Sequence, residues 1–104
     1  MIRHIVMLKL AANADQAELQ AVMSGLAALE LPGFLAFEHG ENIDLENKSP
    51  DLPYGFICTF SGQTALETYA ADPAHQALGA RLVALCEGSG DGITVIDLIV
   101  GGAG

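Results

Sequence analysis

Two segments that read as strands are apolar on both faces, and in a chain of 104 residues this leaves few ways to fold. In residues 54–60, Tyr54, Phe56, Cys58 and Phe60 oppose Ile57 and Thr59, while in residues 93–100, Ile93, Val95 and Ile99 oppose Ile96, Leu98 and Val100. Successive strand side chains point to opposite faces, so these strands need apolar cover on both sides. Helices elsewhere in the chain supply one side. The other has to come from outside the chain.

The remaining elements follow from hydrophobic period. Residues 2–10 alternate, with Ile2, His4, Val6, Leu8 and Leu10 on one face and Arg3, Ile5, Met7 and Lys9 on the other. From Asp15 to about Glu30, Leu19, Val22, Met23, Leu26 and Leu29 recur at helical spacing, and Asp15 followed by Glu18 resembles a capping box. Pro32-Gly33 ends that helix; residues 34–39 read as a second strand stopped by Gly40, and residues 41–53 as a polar surface loop. After the third strand, Ser61-Gly62 breaks the chain, a helix covers about 63–71, and a second helical piece runs from Pro73 to about Glu87. Ala74, Leu78, Leu82 and Leu85 face inward on it. A glycine-rich turn, residues 88–92, leads into the last strand.

The order β-α-β-β-α-β, with its second helix broken at Pro73, predicts an α+β, ferredoxin-like fold with a four-stranded antiparallel sheet. Helices on one face would leave an apolar patch larger than soluble monomers carry, so the uncovered face is expected to pack on that of a second copy. The expected assembly is a homodimer joined through the sheet face opposite the helices. The whole chain reads as one domain, residues 1–104, with 101–104 as a flexible tail.

Composition excludes several function classes. A net charge of −9, with Arg3, Lys9, Lys48 and Arg81 as the only Lys or Arg, argues against nucleic acid or an anionic membrane as partner. No run approaches the ~20 apolar residues of a membrane span. His4 and Lys9 interrupt the N-terminal stretch that superficially looks like a signal peptide, and a cytoplasmic location is expected. Cys58 and Cys86 lie in different elements without a CxxC spacing, which predicts buried, reduced thiols. Three histidines without a short-spaced pair predict no metal site. Neither Gly88 to Gly92 nor the C-terminal glycines match a phosphate-binding loop.

Proton-handling side chains concentrate in Tyr69-Ala-Ala-Asp-Pro-Ala-His75. On one continuous helix Tyr69 and His75 would sit about 240° apart around the axis. Pro73 changes this: the helix stops near Asp72, Asp72 becomes the N-cap of a new helix, and Pro73 its first residue. The break can bring Tyr69 and His75 to one cavity, where an imidazole could cycle its proton near neutral pH. The alternative is a helix corner whose histidine only caps or packs. His39, beside Gly40, is expected in an exposed loop.

The start Ile2-Arg3-His4-Ile5-Val6-Met7-Leu8-Lys9-Leu10, Pro32-Gly33, Gly40, and Phe60 leading to Leu66-x-x-Tyr69-x-x-Asp72-Pro73-Ala74-His75 together resemble the stress-responsive dimeric α/β-barrel (Dabb) family. The resemblance covers nearly the whole chain, ending with Val95-Ile96-Asp97, and implies a homodimeric α/β barrel. It is similar to a plant polyketide cyclase of that family, which closes a poly-β-ketone by aldol condensation without metal or cofactor. On that resemblance His75 is the base, Tyr69 its partner, and His4 a third catalytic group. Tyr54 stands where that enzyme has another histidine, and Ser24 where it has a tyrosine.

If the His4 face turns toward the helices, Val6, Leu8, Phe37, Tyr54, Phe56 and Asp97 are expected to complete an apolar pocket for a small apolar or aromatic ligand. Asp97 either orients a histidine or stands solvated at a strand end, and the second is the expectation. No cofactor is expected. Two functions follow: a cofactor-free acid–base enzyme, such as a cyclase or lyase, or a non-catalytic stress-associated or small-ligand-binding dimer.

Overall fold

The computed structural model describes residues 1–101. Its elements are β1 (Ile2–Leu8), α1 (Gln16–Ala27), β2 (Phe34–Glu41), β3 (Tyr54–Phe60), α2 (Gln63–Ala71), α3 (Pro73–Val83), a single 3₁₀ turn (Ser89–Gly92) and β4 (Ile93–Ile99). This is the expected β-α-β-β-α-β order. The strands form one antiparallel sheet in the order β2-β3-β1-β4, and the fold is ferredoxin-like. Of the tail at 101–104, residues 102–104 lie outside the described residues.

Local chemistry fixes the helix starts. The Asp15 side chain accepts from the backbone N–H of Ala17 and Glu18 at 2.9 and 3.1 Å, capping α1. Asp72 is extended (φ −67°, ψ 127°) and its carboxylate accepts from the His75 N–H at 2.9 Å, so α3 starts at Pro73 as the sequence predicts. Gly33 has φ +78°, and a Cβ there would lie 2.5 Å from both the Ala65 Cβ and the Ser61 Oγ. Glycine is therefore required at the α1–β2 turn on two counts.

Several boundaries differ from the sequence reading. Gly40 does not stop β2: it pairs with Gly55, and the strand runs on to Glu41 opposite Tyr54. His39 accordingly lies within the strand, exposed, rather than in a loop. α1 ends at Ala27 and α3 at Val83, and beyond a turn at 84–85 an isolated bridge ties Cys86 to Leu10. There the Ala11 N–H donates to the Leu85 carbonyl at 2.9 Å and the Glu87 N–H to the Lys9 carbonyl at 2.8 Å.

The core lies between the helices and one sheet face. Leu19, Val22, Met23 and Leu26 of α1, Ala65 and Tyr69 of α2, and Leu82 of α3 bury against Ile2, Val6, Leu8, Phe56, Cys58 and Phe60. The register places Ile5, Ile57 and Ile96 in one row of the opposite face and Arg3, Thr59 and Leu98 in another. No helix covers that face, and Ile96 and Leu98 are each 47% exposed. The β2–β3 loop is held from within: Asp44 Oδ1 accepts from the N–H groups of Lys48 and Ser49 at 2.8 and 2.9 Å.

Candidate functional site

The side chains of the expected site are ordered by one row of the sheet. Phe37, Cys58, His4 and Asp97 stand side by side across β2, β3, β1 and β4, all facing the helices. Over this row lies Tyr69, from the last turn of α2, 1% exposed. The chain reversal at Asp72 then lays His75 on Tyr69, with ring centroids 3.8 Å apart and planes inclined by 31°. The helix break thus reunites two residues that a continuous helix would hold apart.

His4 completes the cluster. Its ring meets Tyr69 edge-on at 5.8 Å, and its Nδ1–H donates to Asp97 Oδ1 at 2.5 Å. Because a carboxylate only accepts, this bond fixes the tautomer and leaves Nε2 as the reactive nitrogen. Asp97 does not stand at a strand end: it sits within β4, its side chain 42% exposed, and the antiparallel register with β1 puts it directly beside His4. That correction could not be read from either strand alone.

Electrostatics acts on His75 in one direction. Burial holds the His75 imidazole below its ordinary 6.5, and a charge on neighbouring His4 pushes it further the same way. The Tyr69 and Ala70 carbonyls and the Asp72 carboxylate oppose this without reversing it. His75 Nδ1 is buried with no hydrogen-bond partner. Burial also pushes the Tyr69 hydroxyl up, and the Cys58 thiol up to about 11. The Tyr69 hydroxyl accepts from Cys58 Sγ at 3.7 Å, so Tyr69 meets His75 through its ring rather than its oxygen.

The structure brings His4, Asp97, Tyr69 and His75 together and adds Cys58, Phe34 and Phe60, whose rings lie 5.6 and 5.0 Å from Tyr69. It does not gather the rest of the expected lining into an open pocket. Val6, Leu8 and Phe56 are core residues. Phe37 is half-buried against Phe56. Tyr54 pairs with Leu8, four residues along β1 from His4 and so roughly 13 Å away, and bonds to His39 and Gln20 instead.

Two clefts open elsewhere. One of about 540 Å³ lies at the Tyr54 end of the helix-side face, and one of about 330 Å³ on the opposite face, over Gly40 and Gly55. Neither is lined by His4, Tyr69 or His75. Among the described residues no group of three or more His, Cys, Asp or Glu side chains is placed to hold a metal ion, and no helix is long and apolar enough to cross a membrane.

Comparison with known proteins places this geometry in a family. None of the curated proteins matches the chain. Among solved structures, a dimeric ferredoxin-like protein of unknown function from Jannaschia sp. CCS1 is 44% identical, with a TM-score of 0.90 over 95% of this chain and 98% of that one. A hydroxynitrile lyase from Passiflora edulis is 15% identical, with a TM-score of 0.80 over 97% of this chain and 94% of that one. A cofactor-independent oxygenase from Streptomyces nogalater, in a mutant form, is 18% identical, with a TM-score of 0.74 over 96% and 92%. The last two share the fold alone. Residues 2–100 match the family described as Stress responsive A/B Barrel Domain, Dabb, and the chain belongs to that family.

Proposed function

We propose that this protein is a cytoplasmic homodimeric α/β barrel whose His4–Asp97, Tyr69 and His75 cluster performs cofactor-free acid–base chemistry on a small apolar or aromatic molecule. The observation that carries this reading is the pairing of two histidines held in opposite roles. His75 has a buried, unpartnered nitrogen and is held toward neutrality, whereas His4 is backed by a carboxylate. A neutral imidazole beside a carboxylate-held one gives the site two proton-handling rings.

In the reaction, neutral His75 takes a proton from carbon between two carbonyls, and the C–H electron pair moves onto the carbonyl oxygen as an enolate. His4, held through Nδ1 by Asp97, stabilises that oxygen from its Nε2 side. The enolate carbon then attacks a second carbonyl, forming a C–C bond, and the proton on His75 passes to the new alkoxide. Tyr69 positions His75 through ring contact. Two structures of the same fold, named a hydroxynitrile lyase and a cofactor-independent oxygenase, support chemistry of this class.

The buried state of the cluster favours a second reading, a dimer that binds a ligand without turnover: Tyr69 is 1% exposed, and neither cleft is lined by His4, Tyr69 or His75. Assays of wild type, His75→Ala and Tyr69→Phe on β-diketone thioester mimics separate the two. Enzymatic function requires turnover in wild type that falls by about 10²–10⁴-fold in His75→Ala. No turnover in wild type, or equal rates in all three, leaves the binding reading.

The dimer forms through the sheet face opposite the helices. Ile96 and Leu98 are exposed there, Arg3 and Glu38 offer opposite charges that a two-fold can bring together, and the 44% identical relative is named as dimeric.

A further inference from the structure

We propose that the β2–β3 loop, residues 42–53, is a clasp that grips a second copy of this chain, with Ile43 and Leu45 as its apolar anchors. This rests on the face-to-face dimer proposed above and extends it beyond the sheet. The polarity of the loop is inverted. Asn42, Asp44 and Ser49 are half-buried, whereas Ile43 and Leu45 are 83% and 87% exposed. Large apolar side chains turned to water while polar ones turn inward are the reverse of what a free surface loop presents.

Hydrogen bonds hold the inversion in place. The Asn42 side-chain amide donates to Ser49 Oγ and to the Leu52 carbonyl at 2.8 and 2.9 Å, and its oxygen accepts from the Asp44 N–H at 2.9 Å. Ser49 Oγ donates to Asp44 Oδ1 at 3.1 Å, the same oxygen that takes the Lys48 and Ser49 amides. Asp44 and Asn47 adopt left-handed backbone, with φ 43° and 54°, a conformation that Asn and Asp take more readily than other side-chain-bearing residues. Ile43 and Leu45 take no part in the core of their own chain. A loop arranged in advance around two displayed aliphatic side chains lowers the ordering cost of an association.

Three observations make the occupant a second copy. The loop leaves the sheet at the rim of the uncovered face, where Glu41 and Asn42 border the trough over Gly40 and Gly55. That face is too small by itself: four strands of seven or eight residues give a footprint of about 19 by 23 Å, roughly 440 Å². A stable interface takes ~800 Å² from each partner, and Thr59 in the middle of this face is already buried. Two almost fully exposed aliphatic side chains on each copy extend it. Charge points the same way. Two copies at −9 repel, so association has to draw on apolar contact, and the carboxylate between the two anchors is already engaged within the loop.

The test is sedimentation equilibrium of the full chain over a concentration series, with Ile43→Ser/Leu45→Ser and Asp44→Ala run beside wild type. The double variant changes only exposed positions, so its circular dichroism is expected to match wild type. Its dimer dissociation constant is expected to rise ~100-fold or more, through the loss of two buried aliphatic side chains on each copy. Asp44→Ala keeps both anchors but loosens the loop, and is expected to raise the constant about tenfold. If wild type sediments as a single chain throughout, the dimer reading falls and this one with it. If wild type is a dimer and the constant is unchanged in either variant, the clasp alone is overturned and the sheet-to-sheet dimer stands.

Discussion

At the scale of single residues, His75 ties protonation to both stability and rate. Its folded pKa is depressed below 6.5, so the unfolded state binds more protons as pH falls through that value. The stability it contributes is therefore complete above pH 6.5 and lost below it. Melting temperatures of wild type are expected to fall more steeply than those of His75→Gln as pH drops from 7 to 5. Turnover, if His75 is the base, is expected to rise with pH through a pKa under 6.5 and then level off, because only the neutral imidazole accepts a proton. Cys58 provides an independent readout at the same place. Its thiol is raised to about 11 and lies fully buried against the Tyr69 hydroxyl, so a disulfide reagent should modify it slowly and only through opening of the core. Tyr69→Ala, which removes the cover, is expected to speed that reaction by an order of magnitude or more.

Among the elements, the α2–α3 break carries most of the site's geometry, and it was the most legible part of the sequence. Proline, the extended residue before it and an acidic N-cap act within a few positions of one another, so Asp72-Pro73 could be read without tertiary knowledge. Asp72→Ala is expected to cost about 1 kcal/mol in denaturant titrations and to broaden the His75 amide resonance, since it removes the acceptor for that N–H. Asn at position 72 is expected to restore most of the loss. What depended on a partner strand was not legible. Gly40 looked like a strand end because its pairing with Gly55 is a long-range fact, and Asp97 looked unpartnered because its neighbour His4 lies ninety-three positions away. The same limit explains why Tyr54 was grouped with His4. Period-two alternation told which face each occupies, while the register decided that they stand at opposite ends of it.

For the whole molecule, the two-faced strands correctly indicated a sheet with one helix-covered face. That inference was available from sequence because alternation needs no register. The opposing face carries a trough where Gly40 and Gly55 stand side by side, about 330 Å³ in volume, with Ile5, Met7 and Ile57 around it. A Cβ at Gly40 meets nothing within 4 Å, so Gly40→Val is compatible with the isolated fold. It is expected to fill the trough and block association: light scattering should give twice the 10.8 kDa chain mass for wild type and a value near 10.8 kDa for the variant. Wild type at the single-chain mass, or a variant that stays paired, would sink the face-to-face arrangement. On the proposed face-to-face dimer, folding is also subject to mass action. The midpoint of thermal unfolding should climb with protein concentration, and the Gly40→Val variant should show no such climb. On that dimer, the abundance of the chain is expected to set how much of it survives heat.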